Sequence, residues 1–182
     1  SEVEKYTPTD TIKRIYDLKR EPNRIALLTL KQETTENVLN ETTTIGRYEY
    51  NDYGQMLHSS VSSGHYTEQT SYSYRNVDDG SLYLLGVQDS VETRKLRDDS
   101  LFVETIHIDY DDRYLPVRRI ERINGKKSLQ EKFEYDAQWQ MTSHSQCSYE
   151  SDQWLTTQFD YNDLGQLVKE TDPMGFHVTH RY

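Results

Sequence analysis

Phe159-Asp160-Tyr161-Asn162-Asp163-Leu164-Gly165-Gln166-Leu167-Val168 repeats a pattern found upstream as Tyr48-Glu49-Tyr50-Asn51-Asp52-Tyr53-Gly54-Gln55-Met56-Leu57. Weaker copies lie at Phe133-Glu134-Tyr135-Asp136-Ala137-Gln138-Trp139-Gln140 and at Ile108-Asp109-Tyr110-Asp111-Asp112-Arg113-Tyr114-Leu115, and Tyr72-Ser73-Tyr74 opens a further one. The second aromatic residues, Tyr50, Tyr74, Tyr110, Tyr135 and Tyr161, follow one another at intervals of 24, 36, 25 and 26 residues. Two aromatic residues separated by one polar residue is the alternation of a half-buried strand. The Asn/Asp-x-x-Gly that follows is turn chemistry, because Asn and Asp bond their own backbone two residues on and Gly supplies a positive φ. Each copy therefore reads as strand, tight turn, strand. Gly54 and Gly165 carry the device intact. Tyr114 and Trp139 stand in the Gly slot, where a Cβ opposes the left-handed conformation, so a different geometry is expected for those two turns.

The pattern continues in both directions. Thr11 to Tyr16 and Arg24 to Lys31 are candidate strands around a turn at Glu21-Pro22-Asn23, in an irregular N-terminal hairpin region, residues 1–45. Residues 46–182 form the repeat region. Turns are expected at Ser62-Ser63-Gly64, Asn76 to Gly80, Asp98-Asp99, Glu150 to Gln153 and Asp172-Pro173-Met174-Gly175, with Pro173 at the position whose fixed φ suits a turn and Gly175 closing it. Asn124-Gly125 is the strongest short hairpin signal. Leu82 to Val87 is apolar enough to be buried on both faces, and Gln88 to Ser100 reads as an inserted hairpin arm. Phe102, Glu104, Ile106, Ile108 and Tyr110 share one face, and Phe176, Val178, His180 and Tyr182 alternate at the end. No helical apolar stripe of useful length occurs. The fold expected is all-β: a meander of antiparallel hairpins forming an elongated, twisted sheet.

Composition narrows the function classes. Hydrophobic residues are 34% of the 182, and 15 of them are Tyr, so any core is thin and tyrosine-rich. A net charge of −10 and basic runs no longer than Arg118-Arg119 or Lys126-Lys127 argue against a nucleic-acid groove, and those pairs read as ordinary strand-face charges. One cysteine, Cys147, excludes an internal disulfide and a multi-cysteine zinc site; it reads as a small apolar filler. No apolar run approaches the ~18 residues of a membrane span, and no targeting signal lies within the chain.

Asp78-Asp79, Asp98-Asp99 and Asp111-Asp112 are acid pairs in predicted turns, where backbone bonding explains Asp without catalysis or calcium. His58, His65, His107, His144, His177 and His180 are scattered, and no metal or cofactor is expected. Asn40-Glu41-Thr42 matches a glycosylation acceptor by chance. The tyrosines read as packing rather than as a sugar-stacking platform. No catalytic residue is assigned, and the chain reads as a non-enzyme.

The frame aromatic-x-Tyr-Asp/Asn-x-x-Gly-Gln-Leu, with the linking Asp-Pro-x-Gly-x-x-x-Thr-x-x-Tyr of Asp172 to Tyr182, resembles the YD repeats of Rhs proteins over about Tyr48 to Tyr182. The family includes bacterial Rhs polymorphic toxins and the B and C components of insecticidal toxin complexes; teneurins, animal adhesion receptors, use a similar barrel. The resemblance implies a β-hairpin sheet that spirals, in complete members, into a hollow shell around a toxic C-terminal domain. At this length the chain would be a wall segment of that shell. Its implied partners are adjacent repeats and the enclosed effector, with self-association through edge strands, and it would belong to a secreted or cell-surface-delivered bacterial protein. The repeat-structural residues are Tyr48, Tyr50, Gly54, Tyr72, Tyr74, Tyr110, Phe133, Tyr135, Phe159, Tyr161, Gly165, Pro173 and Gly175. Phe176 after Asp172-Pro173-Met174-Gly175 departs from the family's autoproteolytic context, so no protease activity is carried over. The alternative reading is an adhesion or carbohydrate-binding module built from the same hairpins.

Overall fold

A computed structural model of the chain describes residues 10–20, 26–78, 80, 82–148 and 153–182. The fold is all-β. Among the described residues thirteen strands follow one another in the sheet in their sequence order, an antiparallel meander that does not close. They are β1 (Asp10–Arg20), β2 (Ala26–Asn37), β3 (Thr42–Tyr50), β4 (Met56–Ser63), β5 (Tyr66–Asp78), β6 (Tyr83–Arg97), β7 (Ser100–Tyr110), β8 (Pro116–Ile123), β9 (Lys126–Tyr135), β10 (Met141–Ser148), β11 (Leu155–Tyr161), β12 (Leu167–Thr171) and β13 (His177–Thr179). Contacts divide the chain into two compact units, Ser1–Val103 and Glu104–Tyr182.

Within each unit the sheet is a single layer, and burial is correspondingly slight. Only Gly46, Thr70, Ile120, Ser143 and Cys147 are buried among the described residues, and no side chain is fully enclosed. Stability must come from hydrogen-bonded ladders and from side chains lying along the sheet, since area-proportional burial has little to act on. This corrects the expectation for Leu82 to Val87: Leu82 is 40% and Tyr83 69% exposed. An apolar run is buried on both faces only where other layers cover the sheet.

In the first unit, β1 and β2 pair from Asp10↔Asn37 to Arg20↔Ala26. The turn at Glu21-Pro22-Asn23 falls outside the described residues, as do Asp79 and most of Glu150 to Gln153. β5 runs on through Asn76, so the turn expected from Asn76 starts later. The inserted arm at Gln88 to Ser100 is also corrected, because Gln88 to Arg97 is the continuation of β6 against β5. Tyr74 pairs with Gln88, fourteen residues on, where Tyr50 pairs with Met56, six residues on. The long interval between Tyr74 and Tyr110 thus comes mainly from hairpin arms that extend past the tyrosine. Inside that extension Gly86, at φ +82°, lets β6 bulge, and Asn76 Oδ1 accepts from Gly86 N at 2.8 Å.

The turn expected at Ser62-Ser63-Gly64 falls later: Ser62 and Ser63 belong to β4, and Ser63 and Tyr66 pair across the two-residue loop Gly64-His65. Asn124 and Gly125 both take positive φ, +49° and +79°, between the paired Ile123 and Lys126. Asp98, at φ +50°, opens the turn between β6 and β7.

Candidate functional site

The feature that recurs through both units is a turn held by one carboxylate or amide oxygen. At Asn51, Asp111, Asp136, Asn162 and Asp172 the backbone N–H receives the turn's closing acceptor: Asn51 N donates to Gln55 O at 2.9 Å, and Asp111 N to Leu115 O at 3.0 Å. The residue three positions on donates back, as Gly54 N does to Asn51 O and Trp139 N to Asp136 O. In all five turns Oδ1 of the first residue accepts two backbone N–H groups, from the second and fourth residues beyond it. For Asp136 these are Gln138 N and Gln140 N, both at 2.9 Å; for Asn162 they are Leu164 N and Gln166 N, both at 3.0 Å. Asp172, with Pro173 next to it, makes the same pair with Met174 N and Phe176 N. The Asp-Pro-x-Gly linker is therefore the same device as the repeat's own turn.

This geometry overturns the expectation for Tyr114 and Trp139. Both adopt the left-handed conformation, at φ +62° and +69°, beside +77° for Gly54, +78° for Gly165 and +89° for Gly175. A left-handed residue with a Cβ costs roughly 1–2 kcal/mol. In both exceptions the accepting residue is Asp, not Asn, and hydrogen bonds to a charged acceptor are the stronger ones, which offsets the strain. Arg113 adds to this: its Nε donates to Asp111 Oδ2 at 2.9 Å, its Nη1 donates to Asp136 O at 2.8 Å, and its guanidinium lies 5.8 Å from the Trp139 ring centroid. Burial would push the Asp111 carboxyl up, but the N–H donors of Leu115 and Arg113 and the Arg113 charge hold it below its ordinary value.

Neighbouring turns on the same end of the sheet are also tied sideways. Gln55 Nε2 donates to Asn76 Oδ1 at 3.1 Å, and Gln140 Nε2 to Gly165 O at 3.0 Å. Gln55 and Gln140, each following the Gly slot, thus serve the next hairpin. In the Asn copies the Gln of that slot accepts from its own turn, Asn51 Nδ2 to Gln55 Oε1 at 2.7 Å and Asn162 Nδ2 to Gln166 Oε1 at 2.9 Å.

The second aromatic of each copy sits at a β-bulge. Tyr50, Tyr110, Tyr135 and Tyr161 pair with Met56, Pro116, Met141 and Leu167, and in each case the next residue of the partner strand is skipped. Tyr16 and Tyr74 also lie at register shifts. A bulge increases local twist and re-aims side chains. Here Tyr135 Oη donates to Pro116 O at 3.0 Å and Tyr161 Oη to Met141 O at 2.9 Å, each reaching the bulge of the preceding hairpin. Tyr182 makes the equivalent bond to Leu167 O at 3.2 Å. The phenols of Tyr50, Tyr74, Tyr135 and Tyr161 are pushed up, first by burial.

Of the other repeat residues, Tyr72 stacks on Tyr74 with centroids 6.4 Å apart, and Phe133 stacks on His144 at 4.9 Å. The Tyr48 ring lies over Gly46, where an added Cβ would meet the hydroxyl at 2.5 Å. Register puts Tyr48, Ser59, Thr70 and Thr93 on one face, and Phe159 opposite Glu170. A polar groove of about 620 Å³ runs between the Asp136 and Asn162 turns, bordered by Phe159 and Asp163. The Oδ1 atoms of Asp136 and Asn162 in its wall are already engaged by backbone. Among the described residues no three His, Cys, Asp or Glu side chains converge to hold a metal.

Sequence reading missed the bulge, the Gln ties, Arg113 and the role of Tyr182. The recurrence of Gln at positions 55 and 140 was the available signal for the ties. No protein-family model matches this chain, and no curated protein matches it.

Proposed function

We propose that the chain is a non-catalytic wall segment of an Rhs-type YD-repeat shell, which encloses and shields a C-terminal toxic effector for delivery. The observation that carries this reading is the tyrosine clamp. Successive hairpins are locked by hydroxyls at one fixed position, Tyr135 to Pro116, Tyr161 to Met141 and Tyr182 to Leu167. The recurring turn oxygens are bonded to backbone, and in the second unit so are the hydroxyls of Tyr135, Tyr161 and Tyr182, so the recurring geometry is internal to the sheet. A wall whose hairpins are tied at bulge, turn and ladder resists local opening, and local opening is what a protease or a leaking cargo requires. The outer edge of β1, exposed along its whole length, is suited to pairing with another strand, as a wall segment's edge must be.

Limited proteolysis of the natural full-length polypeptide tests the reading. An effector domain downstream of these repeats should be resistant while the repeats are folded and should become cleavable once mild denaturant opens them. A downstream domain cut at the same rate in both conditions contradicts enclosure.

A further inference from the structure

Among the described residues β1 is an end strand of the sheet, with β2 alone beside it, and all 11 of its residues are exposed. An open edge accepts any strand unless its side chains choose, and Lys on such an edge ordinarily turns strands away. The residue order of β1, Asp10-Thr11-Ile12-Lys13-Arg14-Ile15-Tyr16-Asp17-Leu18-Lys19-Arg20, chooses one partner. Laid antiparallel on a second copy of itself about a two-fold axis at Ile15, Asp10 faces Arg20, Lys13 faces Asp17, Ile12 faces Leu18, Arg14 faces Tyr16 and Ile15 faces Ile15. Opposite charges and apolar side chains set directly across from each other stabilise an antiparallel pair, and Arg against Tyr sets a cation beside a ring. Thr11 against Lys19 is neutral, and no like charges meet. Slipping the register by two residues sets Lys13 against Lys19 in one direction and Arg14 against Arg14 in the other, and like charges placed opposite each other destabilise a sheet. The axis at Ile15 also matches each residue with one of the same parity, so the amides that β1 turns away from β2 meet their own equivalents.

The apolar side chains of β1 gain from the same arrangement. Ile12, Tyr16 and Leu18 share one face, where Leu18 stands opposite Leu28 and Tyr16 opposite Leu30 of β2. Ile12 is 52%, Tyr16 51%, Leu18 50% and Leu28 62% exposed. A second β1 would bring its Ile12 beside Leu18 and continue the row sideways, which is the cover a single-layer sheet can offer. The polar contacts that β1 already makes run toward β2 and the Asn51 turn. Arg14 meets Glu33 at 2.6 Å, Lys13 meets Glu36 at 3.5 Å, Asp17 meets Lys31 at 3.0 Å, Lys19 meets Asp52 at 2.8 Å, and Asn37 Nδ2 donates to Asp10 Oδ1 at 2.8 Å. Exposed ion pairs of this kind contribute little, and a carboxylate accepts several donors, so they leave β1 able to answer a second copy.

We propose that β1 is a self-recognition edge: two copies of this chain join β1 to β1, antiparallel across a two-fold axis at Ile15, into one continuous sheet. Because the same strand serves both copies, the contact closes at a dimer. The proposal does not rest on the shell reading, and a monomeric chain would leave that reading standing.

Sedimentation equilibrium of the full 182-residue chain over a concentration series tests it, with urea midpoints verifying that each variant is folded. The chain should be in monomer–dimer equilibrium. Asp17→Lys, which sets Lys13 against a lysine, should weaken the dimer about tenfold, and Lys13→Asp/Asp17→Lys should bring it back to within about threefold. The double substitution does not restore the Lys31 contact that Asp17→Lys loses, so recovery reports the contact between copies. Under mild oxidation Ile15→Cys should cross-link two copies much faster than Thr11→Cys, whose copies would lie about 27 Å apart at ~3.4 Å per residue, the parent chain with its buried Cys147 giving the background. A monomer at every concentration, a dimer indifferent to Asp17→Lys, a double substitution as weak as the single one, or equal cross-linking from Ile15→Cys and Thr11→Cys overturns the proposal.

Discussion

The hydroxyl of Tyr161 donates to the carbonyl of Met141 across 2.9 Å, and Met141 is itself the residue against which Tyr135 pairs at the bulge of the preceding hairpin. One tyrosine thus seats the next. Tyr161→Phe keeps the ring and removes only this bond, so it should cost about 1 kcal/mol in urea unfolding. Tyr135→Phe should cost a similar amount through Pro116. A loss below measurement error for both would show that the clamp follows the fold without supporting it.

Gly165 and Gly125 separate backbone strain from crowding. Both have φ near +78°, but a Cβ on Gly165 would meet Gln140 Nε2 at 2.6 Å, and one on Gly125 meets nothing within 4 Å. Gly125→Ala should cost roughly 1–2 kcal/mol, the left-handed penalty alone. Gly165→Ala should cost about 1 kcal/mol more, the Gln140–Gly165 hydrogen bond being displaced as well. In a Gln140→Ala background the two alanine substitutions should cost the same, which a double-mutant cycle measures directly.

Acid should weaken the Asp111 turn in a defined window. The Asp111 carboxyl sits below its ordinary value in the folded chain, so its contribution is present above the unfolded value of about 3.9 and is lost as pH falls through the lower folded value. Asp111→Asn keeps an Oδ1 acceptor but removes the charge facing Arg113. Wild type should therefore be more stable than Asp111→Asn at about pH 6, and the gap should close as pH falls through the folded carboxyl's lowered value. A gap independent of pH would remove the charge from the account.

Alkali should act through the tyrosines. Burial raises the phenols of Tyr50, Tyr74, Tyr135 and Tyr161 in the folded state. A raised phenol stabilises the fold below the unfolded value of about 10, and this is lost as pH rises through the folded value. Ultraviolet titration of phenolate should show a late-titrating class that moves to the ordinary range on unfolding in urea. A single class at the ordinary value in the folded chain would contradict it.

The all-β meander was legible because aromatic alternation and Asn/Asp-x-x-Gly turns are local signals that agree with each other. Asn124-Gly125 and Asp172 to Gly175 were readable for the same reason. Tyr114 and Trp139 were not: their left-handed conformation depends on an Asp three residues earlier accepting two backbone N–H groups, a cooperative geometry that a residue-by-residue propensity does not contain. The bulge at each second tyrosine was hidden because its skipped residue, such as Val168, looks like any other strand residue. Leu82 to Val87 misled because an apolar run reports what could be buried, and a single-layer sheet offers it no cover.

Electron microscopy of the natural full-length polypeptide tests the wall-segment proposal most directly. The account predicts a hollow closed particle, with the hairpins of residues 46–182 running in its wall and a separate domain inside. An extended particle with no enclosed density and both faces of these hairpins open to solvent would contradict it.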